Sequence, residues 1–340
     1  MAVELKSSAA FAKALEESGF GEDGIRTTTL MNQRNTKYSI FALPPFLLFL
    51  VFTTLSILPW YTALPLAAAG FFAMHHVVTR VILNAETYTD SVAKSPYFAS
   101  IITGSVFWVG EVWLVRLIPN TPGHALAHLA FAISFVLCSY NFFRAVTLDP
   151  GTCPKPASES ELRTIIEELA SEGRLNGQTF CISCMARKPL RSKHCRICNK
   201  CTARFDHHCP WVWNCVGVNN HRQFIIFVAS LVAGICWFDY LSLAYFSQLP
   251  RIPLINPKDE AMCLAYPTYC AISSTTDASF VFAVASWATL QLLWTILLLA
   301  GQLFQVMRQM TTFEVSNLGR FGFMGGCERD GSIRKGAESV

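Results

Sequence analysis

Long apolar runs alternate with polar segments along this chain. The runs cover Ile40–Leu58, Trp60–Leu83, Tyr97–Ile118, His124–Val146, Phe224–Phe246 and Ser279–Met307. A helix that crosses a bilayer needs about 20 mostly apolar residues, and each run is near that length. The pattern predicts an all-α polytopic membrane protein with six transmembrane helices, four within 38–146 and two within 224–307. Pro44 and Pro45 near the start of the first run, and Pro59 just after it, fit a helix entry and a tight hairpin. Three polar segments remain: an N-terminal tail over 1–37, a segment over 147–223, and a C-terminal tail over 308–340.

Composition agrees. Hydrophobic residues make up 52% of the 340 residues and charged residues only 15%, against about 25% charged in a soluble domain. A disordered chain is excluded. The net charge of +4 gives no reason to expect a nucleic-acid partner. The first 37 residues lack the apolar stretch of a cleavable signal peptide, and no lipidation motif is evident.

Basic residues are concentrated in the three polar segments, whereas the loops at Pro59, Pro119–Gly123 and Ser247–Ala278 hold few. With six spans all three segments fall on one side, which the positive-inside rule makes cytosolic. Cys263 and Cys270 lie in the long opposite loop, where an oxidising lumen favours a disulfide between them.

The segment 147–223 opens on the turn Asp149-Pro150-Gly151. Ser158 and Glu161 are spaced as a capping box, and Leu162, Ile165, Ile166 and Leu169 then follow at helical spacing. Beyond them the cysteines crowd: seven of the chain's 13 lie between Cys181 and Cys215. A reducing cytosol argues against disulfides, and the Cys-x-x-Cys spacings suit structural zinc, which takes four Cys or His ligands. Seven cysteines with His194, His207 and His208 make ten candidates for two four-ligand sites. The ligands are either seven cysteines and one histidine, or six cysteines and two histidines. The second choice leaves a free Cys beside a free His and an Asp, an arrangement suited to an activated sulfur nucleophile.

The residues from Cys181 to Phe224 resemble the cysteine-rich domain of the DHHC protein S-acyltransferases (palmitoyltransferases). The likeness rests on Asp206-His207-His208-Cys209-Pro210-Trp211-Val212, on Asn214-Cys215-Val216-Gly217, and on Asn220 and Phe224. Asp149-Pro150-Gly151 and Thr311-Thr312-Phe313-Glu314 match two further motifs of that family. The resemblance implies one zinc on Cys181, Cys184, His194 and Cys201 and a second on Cys195, Cys198, His208 and Cys215. It leaves Cys209 as nucleophile, His207 as base and Asp206 as the group that orients the base. Thr312 and Asn220 are implied as supporting residues, and Trp211 and Phe224 as residues at the mouth of an acyl cavity.

The implied reaction transfers a fatty acyl group from palmitoyl-CoA to Cys209, and from there to cysteine thiols of target proteins at the cytosolic face. The membrane expected is that of the Golgi, endosome or endoplasmic reticulum. Four spans ahead of the cysteine-rich segment resemble the ankyrin-repeat branch, although this sequence holds no such repeat.

Other features admit plainer readings. The basic run Arg187, Lys188, Arg191, Lys193, Arg196, Lys200 and Arg204 suits CoA phosphates, the anionic leaflet, or the negative charge of two Cys3His zinc sites. Ala229, Ser230, Ala233 and Gly234 form a small-residue face that suits close helix packing. Glu111 and Asp239 lie toward the luminal ends of apolar runs and are expected to be paired or exposed at the interface. The rival classes are a RING-like membrane ubiquitin ligase and a transporter or channel. The first needs no spare Asp-His-Cys, and the second would need pathway residues such as those acids.

Overall fold

A computed structural model describes residues 44–58, 94–249 and 275–317, with short pieces at 65–66, 69–70, 72–73, 76–77, 326–327 and 333–334. Among the described residues four helices are long and apolar enough to cross a membrane: Tyr97–Asn120, Pro122–Thr147, His221–Ser247 and Thr276–Met307. Their apolar centres coincide with four of the six expected runs. The first run appears as a shorter helix, α1, over Pro44–Ile57. Most of the second run and the Cys263–Cys270 pair lie outside the described residues.

The first long span is α2 (Tyr97–Val112), which continues through a π-helical turn at Trp113–Leu117 to Asn120. That turn is held from outside the helix. The Trp113 indole donates to His128 at 3.1 Å, and the Thr121 hydroxyl donates to the Leu117 carbonyl at 2.6 Å. α3 (Ala125–Thr147) forms the most extensive helix pair of the bundle with α5 (His221–Ser247). α6 (Thr276–Met307) packs against α5, and Thr275 caps it by accepting from Ala278 N.

Phe52, Val112, Phe131, Phe238 and Phe280 fill one end of the core. Leu126, Phe143, Leu290 and Leu293 point outward, as suits a lipid-facing surface. The acids inside the spans are paired. Glu111 takes a bidentate contact from Arg116 at 2.6 and 2.7 Å, and Asp239 accepts from the Thr289 hydroxyl at 3.2 Å.

Between α3 and α5 the chain builds α4 (Glu159–Ser171) and three antiparallel hairpins. These are β1/β2 (Phe180–Cys181 with Ala186–Arg187), β3/β4 (Lys193–Cys195 with Lys200–Thr202) and β5/β6 (His207–Cys209 with Asn214–Val216). α4 buries Leu162 and Leu169 against Phe180, as its spacing predicts. Only half of the expected capping box forms: Ser158 accepts from Glu161 N, but the Glu161 carboxylate accepts from Ala157 N at 2.6 Å.

The Asp149 turn ties α3 to the hairpins. Its carboxylate accepts from the backbone N–H groups of Gly151 and Thr152 at 2.8 and 2.6 Å. Gly151 has φ +99°, and a Cβ there would lie 2.4 Å from Val218, so glycine is required twice over. After α6, the short helix α7 (Thr312–Val315) returns the chain to the hairpins. A last pair of two-residue strands, β7 (Gly326–Cys327) and β8 (Ile333–Arg334), lies near the C-terminus.

Candidate functional site

Hairpin geometry sorts the histidines and cysteines. Successive side chains on a strand point to opposite faces, while directly paired residues share one. In β3/β4, His194 pairs with Cys201, and Cys195 pairs with Lys200. In β5/β6, His208 pairs with Cys215, and Cys209 pairs with Asn214. His194 and Cys201 therefore face one cluster, while the adjacent Cys195 faces the other. His208 and Cys215 share a face, and their neighbours His207 and Cys209 take the opposite one.

Two four-donor groups result: Cys181, Cys184, His194 and Cys201, and Cys195, Cys198, His208 and Cys215. Within each group the donor atoms all lie within 4.8 Å of one another. The sulfurs of Cys184, Cys181 and Cys201 lie 3.2, 3.5 and 3.8 Å from His194 Nδ1. Cys198 and Cys215 lie 3.3 and 3.7 Å from His208 Nδ1 and 3.5 Å from each other. Tetrahedral zinc with bonds of about 2.3 Å to sulfur and 2.0 Å to nitrogen has edges of about 3.5–3.8 Å. Both groups match that donor set and size. The residue after each Cys-x-x-Cys turn, Met185 or Asn199, has positive φ, which turns the chain back into the next strand.

Cys209 belongs to neither group. It is buried beside Ile102, Cys138, Ala145, Val212, Phe224 and Phe227, where the hairpin meets the bundle. His207 Nδ1 lies 2.6 Å from Asp206 Oδ2, and its ring meets Phe224 edge to face at 5.3 Å. Asp206 is 1% exposed. Thr312 donates to it twice, from its backbone N–H at 2.7 Å and its hydroxyl at 2.9 Å. Burial opposes ionisation of Asp206, but His207 and the Thr312 N–H outweigh it and hold the carboxyl down at about 2. Burial likewise disfavours a charged His207, yet Asp206 and the Cys209 sulfur raise its pKa to about 9. An imidazole held by a carboxylate on one side and facing a thiol on the other can take and return the thiol proton.

The remaining expected residues have distinct surroundings. Asn220 is buried, donates to the Cys215 carbonyl at 2.9 Å, and accepts from Gly217 N at 2.9 Å. Trp211 stacks on Trp294 at 5.5 Å and meets Phe98 at 4.9 Å. An apolar cavity lies between α2, α3, α5 and α6, lined among others by Ile102, Cys138, Ser230, Gly234, Trp287 and Trp294. Trp211 reaches it through Trp294. Phe224 packs on His207 and is not among the lining residues. Two members of the small-residue face, Ser230 and Gly234, line the cavity, and a Cβ on Gly234 would lie 3.7 Å from Ser134 on α3.

Other residues of the site had no individual role assigned to them from the sequence. Asn214 donates to the carbonyls of Ala145, Val146 and Leu148 at 2.8–3.2 Å. It thereby caps the end of α3, where helix carbonyls lack partners. Arg191 grips Glu314 at 2.5 and 2.6 Å and the Gln309 carbonyl at 2.8 Å. Glu314 also closes a capping box with Thr311. Gln302 on α6 lies between His221 and Thr312. The basic run is drawn largely to partners within the chain. Arg187 pairs with Glu168 at 3.1 Å, Lys200 with Asp149 at 3.9 Å, and Lys193 lies 3.8 Å above the Phe313 ring.

Residues 174–318 match the model of the DHHC palmitoyltransferase family. The chain is 35% identical over 325 residues to palmitoyltransferase AKR1 of Mortierella alpina, covering 96% of this chain and 54% of that protein. It is 34% identical over 330 residues to the AKR1 palmitoyltransferase of Gibberella zeae, covering 92% and 44%. Against that of Yarrowia lipolytica it is 35% identical over 328 residues, covering 96% and 43%. The chain thus spans about half the length of the curated relatives it matches. Residues 174–318 of the chain carry a DHHC palmitoyltransferase family domain.

Proposed function

We propose that this chain is a protein S-acyltransferase that takes a long-chain acyl group from palmitoyl-CoA and passes it to cysteine thiols of membrane-associated proteins. The observation that carries this reading is that Cys209, Asp206 and His207 lie outside both four-donor groups, and that Cys209 packs with Ile102 and Cys138, which line the apolar cavity between the spans. His207 takes the Cys209 proton, and the sulfur attacks the thioester carbonyl carbon. The carbon–sulfur bond to CoA breaks, and CoA leaves with a proton. A target thiol then attacks the acyl-enzyme, and Cys209 regains its proton. Asp206 orients and charge-balances the imidazole throughout. Trp211, stacked on Trp294, flanks the route from Cys209 to the cavity, and Phe224 holds the His207 ring.

Both four-donor groups hold zinc in this reading. Each ion is closed by four protein ligands, so its part is to fix the hairpins. The bundle has six spans, the run over 60–83 supplying the one not described. The hairpins face the cytosol of an endomembrane, in line with the basic polar segments. The six-span plan divides the chain into a tail (1–37), four spans (38–146), the cysteine-rich segment (147–223), two spans (224–307) and a tail (308–340).

Incubation with labelled palmitoyl-CoA tests the reading. A hydroxylamine-sensitive label should appear on the wild-type protein and be absent from Cys209→Ser. A label that survives in Cys209→Ser would place the acyl group elsewhere, and a wild-type protein that takes none would end the assignment.

A further inference from the structure

Gln302 is 4% exposed on α6. Its side-chain nitrogen is 3.0 Å from the Thr312 hydroxyl and 3.4 Å from Asp206 Oδ2, and its side-chain oxygen is 3.0 Å from His221 Nε2. The Gln305 side-chain oxygen also lies 2.8 Å from the Thr312 hydroxyl and 3.4 Å from the Gln302 nitrogen. Asp206 is ionised and can only accept. The single Thr312 proton goes to the carboxylate at 2.9 Å rather than to the neutral Gln305 oxygen at 2.8 Å, because the charged oxygen is the stronger acceptor. The Thr312 oxygen is then left to accept, and the Gln302 NH2 lies 3.0 Å from it and 3.4 Å from the carboxylate. Turning the amide over would point its carbonyl at a carboxylate and a hydroxyl whose proton is already used. With the NH2 so directed, the Gln302 oxygen faces His221 and can only accept. His221 thus donates from Nε2 to Gln302.

We infer that Gln302 and His221 are positioning residues for Asp206, and through it for His207 and Cys209. The inference rests on the acyltransferase reading only in taking Cys209 as the nucleophile. His221 is the first residue of α5 and Gln302 belongs to α6, so their bond joins two helices that wall the cavity at the level of the carboxylate. Gln302, together with Gln305, fixes the Thr312 hydroxyl beside Asp206.

The test uses the full chain with its zinc and follows alkylation of Cys209 by iodoacetamide, read on the Cys209 peptide by mass spectrometry. This readout needs no acyl donor. Acyl-enzyme formation from palmitoyl-CoA is measured in parallel. Gln302→Leu should slow both reactions about tenfold, the size expected for one lost hydrogen bond to a charged group. The KM for acyl-CoA should not change. His221→Phe should slow both severalfold and add little in the Gln302→Leu background. Gln302→Glu provides a signature that a packing role would not produce. At low pH its protonated carboxyl donates as the amide does, and alkylation should match wild type. As pH rises that group ionises against Asp206, and the rate should fall progressively below wild type.

A Gln302→Leu protein that alkylates at the wild-type rate overturns the inference, as does a Gln302→Glu protein that tracks wild type at every pH. If Gln302→Leu loses zinc, the other two variants decide. Alkylation that responds as expected in a protein that accepts no acyl group supports the positioning role and overturns the acyltransferase reading alone.

Discussion

Thr312 gives Asp206 two hydrogen bonds from one residue, its backbone N–H to Oδ1 and its hydroxyl to Oδ2, across 106 positions of sequence. Three neighbours orient it. Thr311 and Glu314 close a capping box around α7, and Phe313 N donates to the Asp206 carbonyl at 3.1 Å. The Thr-Thr-Phe-Glu motif therefore divides its labour: the first and last residues build the turn, and the middle two hold the aspartate.

Replacing Thr312 by Val keeps the backbone bond and removes the hydroxyl. A hydrogen bond to a charged group contributes about 1.5–3 kcal/mol. We expect acyl-enzyme formation to slow about tenfold, with the zinc content unchanged. Thr312→Ser should be close to wild type. A Thr312→Val enzyme at full rate would show that the backbone N–H suffices.

His207 and His208 should separate cleanly. His208→Ala removes a donor from the second cluster, and structural zinc contributes about 10 kcal/mol or more to the folding of small modules. That protein should bind one zinc fewer and unfold at lower temperature. His207→Ala and Cys209→Ser should keep both zincs and lose activity. Metal analysis of the three purified variants decides this. A His208→Ala protein with its full metal content would reverse the two roles.

Much of this site was legible in the sequence, and the reasons are specific. The centres of four spans follow from apolar runs, because hydrophobicity alone sets them. The ends run past the apolar rule: α5 begins at His221, and α6 begins at Thr276 behind its Thr275 cap. The ligand count left two assignments open, although strand parity was available to choose between them. Residues two apart share a face, so His208 with a paired Cys215 excludes His207 and Cys209 from the same metal. Gln302 also left a trace, as a polar residue near the end of an apolar run. Arg191 left none. Its acid lies 123 positions away, so local pattern could not show that this member of the basic run is committed to the C-terminal turn.

That pairing can be tested. Glu314 is 3% exposed, holds Arg191 in a two-point contact, and accepts from Thr311 N. Burial would raise its pKa, but the guanidinium and the Thr311 N–H hold it below the usual carboxylate range. Glu314→Gln keeps the shape and removes the charge. Breaking a buried pair costs about 3–5 kcal/mol, and the partial exposure of Arg191 reduces this to about 2 kcal/mol. The variant should melt earlier and acylate more slowly, because α7 carries Thr312. Arg191→Met in the Glu314→Gln background should recover part of the stability, since it removes the unpaired cation. An unchanged melting temperature in Glu314→Gln would refute the anchoring role.

The contact between Asp206 and His207 also predicts how stability depends on pH. His207 has a folded pKa of about 9, above the ordinary value of about 6.5. The folded state therefore holds the proton more tightly than the unfolded chain does. The stabilisation is fully present below about pH 6.5 and is lost as pH rises through 9. Asp206 works in the opposite sense. Its carboxyl, held at about 2, stabilises fully above its ordinary value of about 3.9 and is lost only as pH falls through 2. Of these two groups, only the histidine titrates between pH 6.5 and 10. His207→Gln removes that titration and keeps a donor of similar reach. The melting temperature of wild type should exceed that of His207→Gln at pH 6.5, and the gap should narrow steadily toward pH 10. Zinc content measured at each pH separates this trend from metal loss, which would affect both proteins alike. A gap that stays constant across the range would mean that His207 is already neutral opposite Asp206 at pH 6.5, and that the imidazole is held by geometry rather than by charge.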